Sequence, residues 1–311
     1  MEFMSNKLSV TYYVRSSGKF VTEKVYASDF LCWMYNTRPG HLVTNLFMKR
    51  KFISRLYGWF HRQGWSRRKI KPFAEAMQVN TDDLCCSLED FATFNDFFVR
   101  EIDLSKRPIH TDLQTCIAPA DGKVLAYQSI TDDTPFRIKR SMFNLQGFVR
   151  DRVIAEEFSG GSMVVSRLSF ADYHHFHFPD SGLPGESVSI QGAYHAGGPY
   201  ARTTLVPFYT ENHRMRTSFD SDHFGRILII EVGALTVGSI QQRYQPGVRV
   251  PKAARKGYFE LGGSTVVLLF TKGAIELDKD LCVNTESEIE TYVRFGDSIG
   301  KVPAEKLGTP R

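Results

Sequence analysis

Apolar and polar positions follow two different periods along the chain, and the period changes near residue 108. Between residues 41 and 60, apolar side chains recur every three or four positions, which predicts amphipathic helices. Before them, residues 8–30 alternate loosely around Gly18 and predict a short hairpin. Beyond Pro108 the period shortens towards two and glycines become frequent, which predicts a mainly β region.

Several strands can be predicted within this second region. Residues 117–124 have the pattern of a strand, a turn that carries Asp121, and another strand. Residues 163–168, 226–232 and 266–270 are apolar enough to predict buried strands. The expected fold is therefore α+β, with N-terminal amphipathic helices packed on a mainly β domain. We expect residues 1–110 to form the mostly helical part and residues 111–311 to form the mainly β domain.

Composition limits the class of protein without identifying it. With 311 residues, 42% hydrophobic and 23% charged, the chain has the composition of an ordinary folded protein. Because the five cysteines are scattered and form no C-x-x-C pair, we expect neither a disulfide framework nor a zinc site. No run of 18 apolar residues occurs, and the first residues lack the apolar core of a signal peptide, so we expect no membrane span and no Sec export.

Positive charge is concentrated in one segment. Residues 41–74 contain nine lysines and arginines and no acid. Because the net charge of the whole chain is +5, the remaining residues carry a net charge of 5 − 9 = −4. Aromatic side chains interleave with these cations, as in helices that lie on an anionic membrane surface. From the segment alone, a solvated helical face and a nucleic-acid patch are alternative interpretations. The basic residues are Lys49, Arg50, Lys51, Arg55, Arg62, Arg67, Arg68, Lys69 and Lys71.

Three histidines lie within four residues, at His174, His175 and His177. In a strand, His175 and His177 would share one face and His174 would face the other way, whereas in a helical turn His174 and His177 would converge. A zinc site would need a further distant ligand, and we predict no metal. Because imidazole titrates near physiological pH and an Asp and a Tyr precede the cluster, acid–base chemistry is the better hypothesis.

The segment Gly262-Gly263-Ser264-Thr265 precedes the apolar run 266–270. Glycines allow backbone conformations that other residues avoid, and the next hydroxyl lies within reach of the carbonyl of Gly263. Attack by Ser264 Oγ would turn that peptide bond into an ester, and elimination and hydrolysis would then leave a pyruvoyl group. Taken alone, the motif is more typical of a glycine-rich turn.

Taken together, these features resemble the phosphatidylserine decarboxylase family, whose members are self-cleaving lipid enzymes. The motifs occur in the family's order across most of the chain, and their joint occurrence is specific although each is short. They are Phe94-Asn95-Asp96-Phe97-Phe98-x-Arg100 with Arg107-Pro108-Ile109, Pro119-Ala120-Asp121-Gly122, Asp172-Tyr173-His174-x-x-His177-x-Pro179, Glu231-Val232-Gly233-Ala234 with Val237-Gly238-Ser239-Ile240, and Lys256-Gly257-x-Phe259 with Gly262-Gly263-Ser264-Thr265.

The resemblance implies a set of site residues. It implies a protease-like triad for self-cleavage at Asp121, His177 and Ser264, in which His177 takes the serine proton and Asp121 orients the imidazole. It implies that His174 assists decarboxylation. Cleavage between Gly263 and Ser264 would give a large chain of residues 1–263 and a small chain of residues 264–311. The cofactor would be a covalent pyruvoyl group derived from Ser264, which forms a Schiff base with the substrate amine.

The resemblance also implies partners and a location. The substrate would be phosphatidylserine and the product phosphatidylethanolamine, so residues 1–110 become a membrane-associating region and residues 111–311 the catalytic domain. We expect a peripheral protein on the anionic cytoplasmic face of a bacterial membrane. We expect no nucleic acid among its binding partners. The sequence does not fix the oligomeric state and leaves a homodimer open.

The chain departs from the family pattern in two places. Gly262-Gly263 stands where many members have one large residue before a single glycine, although a double-glycine form also belongs to the family. His175 stands where many members have Arg, which leaves any headgroup contact at this position undetermined.

Two other functions fit parts of the sequence. A soluble pyruvoyl decarboxylase of a free amino acid would not need the aromatic and basic helices, whose presence counts against it. A lipid-binding or nucleic-acid-binding module, in which Gly262-Gly263-Ser264-Thr265 is only a turn, would remain a single intact chain.

Overall fold

A computed structural model describes most of the chain. The described residues are 10–23, 29, 33–34, 37–43, 56, 58–130, 136–138, 141–143, 145–195, 208–234, 240–262 and 264–307. The helical prediction for residues 44–55 and residue 57 lies outside this set, as do Lys49, Arg50, Lys51, Arg55 and Gly263.

Helices and strands alternate irregularly along the described residues. The helices are α1 Arg38–Val43, α2 Ile70–Met77, α3 Phe94–Phe98, α4 Leu145–Val149, α5 Arg152–Phe158, α6 Phe208–Glu211, α7 Lys279–Glu286 and α8 Ala304–Leu307, with 3-10 turns at Gly64–Lys69, Leu88–Asp90 and Leu104–Lys106. The strands are β1 Thr11–Val14, β2 Lys19–Thr22, β3 Thr115–Ile117, β4 Gly122–Tyr127, β5 Phe136–Ile138, β6 Ser141–Phe143, β7 Ser162–Leu168, β8 His175–His177, β9 Gly182–Ile190, β10 Arg214–Ser221, β11 Gly225–Gly233, β12 Ile240–Gln242, β13 Arg255–Phe259, β14 Ser264–Phe270, β15 Glu276–Leu277, β16 Glu290–Val293 and β17 Ser298–Lys301.

A nine-stranded sheet forms the centre of the protein, with the strand order β2-β1-β16-β4-β7-β14-β11-β10-β9. Strand β14 lies between β7 and β11, antiparallel to both, and all seven of its residues are buried. Its run of apolar, partly β-branched side chains suits a strand that is covered on both faces. The predicted α+β fold and the predicted strands at residues 163–168, 226–232 and 266–270 are confirmed.

A smaller sheet brings two parts of the future site together. It has the order β12-β13-β8, so the histidine strand β8 pairs with β13, which immediately precedes the glycine-rich segment. The chain therefore leaves the small sheet at Phe259 and enters the nine-stranded sheet at Ser264. This crossing places Glu260, Leu261 and Gly262 between the two sheets.

A helical layer packs against this crossing. Helix α2 buries Ile70, Phe73 and Ala74, which lie on one face at helical spacing. Helix α3 adds Phe94, Phe97 and Phe98, and its N-terminus is capped by the side chain of Thr93, which accepts a hydrogen bond from the Asp96 amide. We call this group the aromatic cluster; its buried members are Ile70, Phe73, Ala74, Val79, Phe94, Phe97, Phe98 and Leu261.

The predicted N-terminal hairpin is confirmed as β1 and β2, with Gly18 at φ +67° in the turn. Strand β1 also pairs in parallel with β16, so the hairpin extends the nine-stranded sheet. The division at residue 110 remains a prediction, although strands from before it join the sheet formed after it. Within the described residues, no helix combines the length and apolar character needed to cross a bilayer.

Candidate active site

Ser264 begins β14 at the point where the chain crosses between the sheets. Its neighbours in the sheet are Leu168 on β7 and Gly233 on β11, and its exposure is 2%. Gly262, two residues earlier, has φ +146°, a conformation open to glycine and costly for other residues. Gly263, the other half of the predicted cleavage site, lies outside the described residues.

His174 contacts the predicted nucleophile. Its Nδ1 lies 3.3 Å from Ser264 Oγ, and its ring stacks on Phe98 with 3.9 Å between centroids. Its carbonyl accepts a hydrogen bond of 2.9 Å from the Phe259 amide, which ties the histidine to β13. Burial, with a smaller contribution from Arg100, lowers the pKa of His174 to about 3. The ring is therefore neutral at physiological pH and can accept a proton.

His175 and His177 lie on the other face of the segment, together with Tyr173. The Tyr173 ring stacks on His175 at 4.8 Å and lies 5.9 Å from the ring of His177. The alternation expected for a strand is therefore confirmed. His175 Nε2 donates to the Val99 carbonyl at 2.9 Å. Burial lowers the pKa values of His175 and His177 to about 4 and about 3.

Both ring nitrogens of His177 have partners other than the serine. Nδ1 donates to the Ala253 carbonyl at 2.9 Å, which leaves Nε2 free of a proton and able to accept from the Tyr173 hydroxyl at 3.3 Å. The ring also stacks on Phe295 with 3.8 Å between centroids. His177 is thus held in one tautomer by a backbone carbonyl, where a triad would use a carboxylate.

Asp121 is bound by an arginine. Arg107 donates to its two oxygens at 2.7 and 3.0 Å, and the Phe295 amide donates at 2.8 Å. Arg107 also pairs with Asp83 at 2.6 Å, so the three charges form one buried group. Burial raises the pKa of Asp121, and Arg107 and the Phe295 amide oppose that rise. Phe295 links Asp121 to His177, since its backbone contacts one and its ring the other.

The structure brings together only part of the predicted set. Ser264 contacts His174, while the hydrogen bonds of His177 and Asp121 go to other partners, so this conformation does not contain the expected Asp121–His177–Ser264 relay. The reason is that the extended chain leading into β8 turns His174 to one face and His177 to the other. The catalytic roles assigned to these four residues remain predictions.

Lys123 and Asp172 are two further buried groups that shape the site, and neither was predicted as a site residue. Lys123 donates to Asp172 at 3.0 Å, and the amide and hydroxyl of Ser169 donate to the same carboxylate at 2.6 and 2.8 Å. Burial alone would raise the pKa of Asp172, but Lys123 and Ser169 outweigh it, and the pKa lies below its usual range. These three hydrogen bonds to the Asp172 carboxylate hold the chain in place just before His174. Asp172 belongs to a recognised motif, but no local pattern identifies its lysine partner.

A cavity of about 290 Å³ adjoins these charged groups. The hairpin, the end of α2, and the side chains of Arg107, Asp121 and Lys123 line it. Neither Ser264 nor His174 is among its lining residues. The cavity therefore lies on the Asp121 side of the site, apart from the Ser264–His174 contact.

The chain is similar to known proteins over most of its length. The family model described as phosphatidylserine decarboxylase matches residues 94–301. A relative from Clostridium beijerinckii, named phosphatidylserine decarboxylase proenzyme, is 38% identical over 291 residues, which cover 94% of this chain and 98% of the relative. Proteins of the same name from Chlamydia caviae and Fusobacterium nucleatum are also 38% identical; the matches cover 93% and 94% of this chain and 97% of each relative.

The buried histidines predict that acid destabilises the protein. In the folded protein the pKa is about 3 for His174, about 4 for His175 and about 3 for His177, all below the ordinary value of 6.5. Below pH 6.5 the unfolded chain therefore binds protons that the folded chain does not. The free energy of unfolding should therefore fall as the pH drops from 6.5 towards 4. We expect His175→Gln, which keeps a donor for the Val99 carbonyl, to reduce the fall between pH 7 and pH 5 by about 2 kcal/mol.

Urea unfolding at several pH values, followed by fluorescence, measures this quantity. The comparison is between slopes, so a uniform loss of stability in the variant does not affect it. Identical slopes for the parent protein and His175→Gln would contradict the assignment of a neutral, buried His175.

Proposed function

The chain belongs to the phosphatidylserine decarboxylase family, and we propose that it cleaves itself at Ser264 and then converts phosphatidylserine to phosphatidylethanolamine and CO2. It is a carboxy-lyase. The observation that carries the proposal is the contact between Ser264 Oγ and His174 Nδ1 at the buried start of β14. A buried serine beside a neutral imidazole is the arrangement needed for nucleophilic attack.

Self-cleavage would proceed within the chain's own peptide bond. Ser264 Oγ bonds to the Gly263 carbonyl carbon, the bond from that carbon to the Ser264 nitrogen breaks, and the hydroxyl proton passes to the released amine through a histidine. Loss of the Ser264 Cα proton then breaks the Cβ–O bond and releases the Gly263 carboxylate. Tautomerisation and hydrolysis of the remaining dehydroalanine release ammonia and leave a pyruvoyl group.

The residues present fit such a group. Position 264 is almost fully buried, and the neighbouring His174 has a buried Nε2 that has no hydrogen-bond partner among the described residues. A ketone at this position would supply an electron sink when the carboxylate leaves as CO2. The chain's own contribution is to exclude water from position 264 and to hold His174 beside it through Phe98 and Phe259.

The two histidines would divide the proton transfers. The resemblance assigns the serine proton to His177, whereas the observed contact supports His174 as its acceptor. In either case His174, whose neutral ring carries one N–H, is suitably located to deliver the proton that replaces CO2. Asp121, through Phe295, would hold the position of His177.

The proposal includes docking on an anionic membrane, at the cytoplasmic face in a bacterium. Among the described residues, Trp59 and Trp65 are 57% and 43% exposed, and Phe60 is exposed beside them. Lys69 lies over the rings of Phe60 and Trp65 at 5.7 and 5.5 Å. Exposed aromatic rings next to cations suit a headgroup layer, and a diacyl substrate must be reached from such a surface.

We predict that purified protein consists of two polypeptides, the smaller being residues 264–311 with a blocked N-terminus. Ser264→Ala should remain one inactive chain, because it lacks the attacking oxygen. Ser166→Ala removes the same oxygen from a buried serine on the adjacent strand β7 and should still mature. Intact mass spectrometry distinguishes the forms. A Ser264→Ala protein that still splits at this junction would rule out the proposed nucleophile.

A second prediction separates the histidines, since cleavage and CO2 release can be assayed independently. If His177 is the base, His177→Ala and Asp121→Ala stay uncleaved, while His174→Ala matures partly and releases CO2 slowly. If His174 is the base, as the contact supports, His174→Ala stays uncleaved and His177→Ala matures. Gel analysis of processing decides between the two. Normal maturation of both His174→Ala and His177→Ala would show that neither histidine is the base for self-cleavage.

The third prediction concerns the basic segment. Replacing Lys49, Arg50, Lys51 and Arg55 with Gln should weaken binding to anionic vesicles, most strongly at low salt, because salt screens exposed charges. Activity on dispersed short-chain phosphatidylserine should survive. A control with Arg152, Arg226, Arg249 and Lys301 changed to Gln loses the same charge from exposed sites in the β region. Vesicle flotation at two salt concentrations measures binding, and equal binding by both variants would reject this segment as the docking element.

A further inference from the structure

The connector between the two sheets is restrained before it reaches Ser264. It comprises residues 260–263, of which Glu260, Leu261 and Gly262 are described. At its start, β13 pairs with β8, and the Phe259 amide donates to the His174 carbonyl. At its end, Ser264 is fixed between β7 and β11. The few residues between these fixed points must cross from one sheet to the other.

Leu261 is anchored in the helical layer. Its side chain is 1% exposed and belongs to the aromatic cluster, whose other members come from α2, α3 and residue 79. Removing an aliphatic side chain from water strongly favours such a position. Leu261 is the cluster member that lies on the connector, so the cluster holds the connector directly.

Glu260, the residue before Leu261, is held by the same part of the chain. Arg62 Nη2 lies 2.7 Å from Glu260 Oε1, and the two side chains are 48% and 16% exposed. A pair this exposed contributes little to global stability. It nevertheless joins Arg62 of the basic segment to a residue only four positions before Ser264.

We propose that Arg62, Glu260 and Leu261 form a clasp, by which the N-terminal helical layer positions the cleavage junction for attack by Ser264. The clasp rests on the proposed self-cleavage and adds positioning residues that do not touch the reacting atoms. Gly262, next to Leu261, has φ +146°, and such conformations persist where the surrounding structure enforces them. With Leu261 buried and Glu260 paired, the connector is fixed on the side of the junction opposite to β14.

The physical basis is proximity. Nucleophilic attack requires the reacting atoms to lie about 3 to 3.5 Å apart, and a displacement of about 1 Å can slow a reaction on the order of a hundredfold. Releasing the clasp would loosen Glu260, Leu261 and Gly262, which lead into the junction, while the Ser264–His174 contact remains. Cleavage should then slow, although nucleophile and base are intact.

The first test reverses the charges of the ion pair. In pulse-labelled cell-free synthesis of the full chain, Arg62→Glu should slow the appearance of the small chain on the order of tenfold, because two carboxylates then repel. Glu260→Arg should also slow it, and the double exchange should restore the rate. The control Arg152→Glu makes the same charge change at the exposed Arg152–Glu156 pair and should cleave at the parent rate.

The second test changes the apolar anchor. Leu261→Ala should slow cleavage on the order of tenfold or more, and Leu261→Met, which keeps the volume, should restore most of the rate. Leu281→Ala removes the same side chain from a fully buried position on α7, outside the aromatic cluster, and should lower thermal stability without slowing cleavage. If Leu261→Ala fails to fold, the charge exchange between Arg62 and Glu260 still tests the proposal.

The outcomes separate the clasp from the proposed function. A parent protein that never splits would reject self-cleavage itself. A parent that splits, with Arg62→Glu and Leu261→Ala splitting at the same rate, would overturn the clasp alone. Slow cleavage in Arg62→Glu that the double exchange does not restore would also overturn it, because the loss would then not depend on the pair.

Discussion

The burial of β14 in the interior of the nine-stranded sheet is the constraint on which the site depends. Both neighbours of this strand are antiparallel, and each of its residues is covered, so its register cannot slip without exposing apolar side chains. That register fixes Ser264 against Leu168 and Gly233. The serine is therefore presented by a fully buried strand, while the preceding strand β13 belongs to another sheet.

The histidines acquire different surroundings because His174 lies just before β8 and the side chains of an extended chain alternate between its two faces. His174 turns towards Ser264 and Phe98, whereas His175 and His177 turn towards Tyr173 and bind backbone carbonyls. Burial keeps all three rings neutral at physiological pH, which suits proton transfer and makes the folded state sensitive to acid. The short segment 174–177 thus supplies both a ring that contacts the nucleophile and rings that hold the local structure.

The aromatic cluster connects the helical layer to both sides of the cleavage junction. Phe98 stacks on His174, and Leu261, on the connector, is buried in the same cluster. Because apolar interiors are closely packed, a shift of these helices would be felt at both positions. The surface next to this layer carries the exposed tryptophans, so the region proposed to meet the membrane is also the region that contacts the reacting segment.

The sequence by itself determined the elements and the candidate chemistry. Periodicity identified the hairpin, the buried strands and the α+β class, and the motifs identified Ser264 and the histidine cluster, because these features depend on neighbouring residues. Tertiary structure alone decided that Ser264 contacts His174, that Arg107 binds Asp121, and that β1 joins β16. The two residues in each of these contacts are separated by between 14 and more than 270 positions in the sequence. Local sequence patterns indicate which side chains are buried, but they do not indicate which distant side chains contact each other.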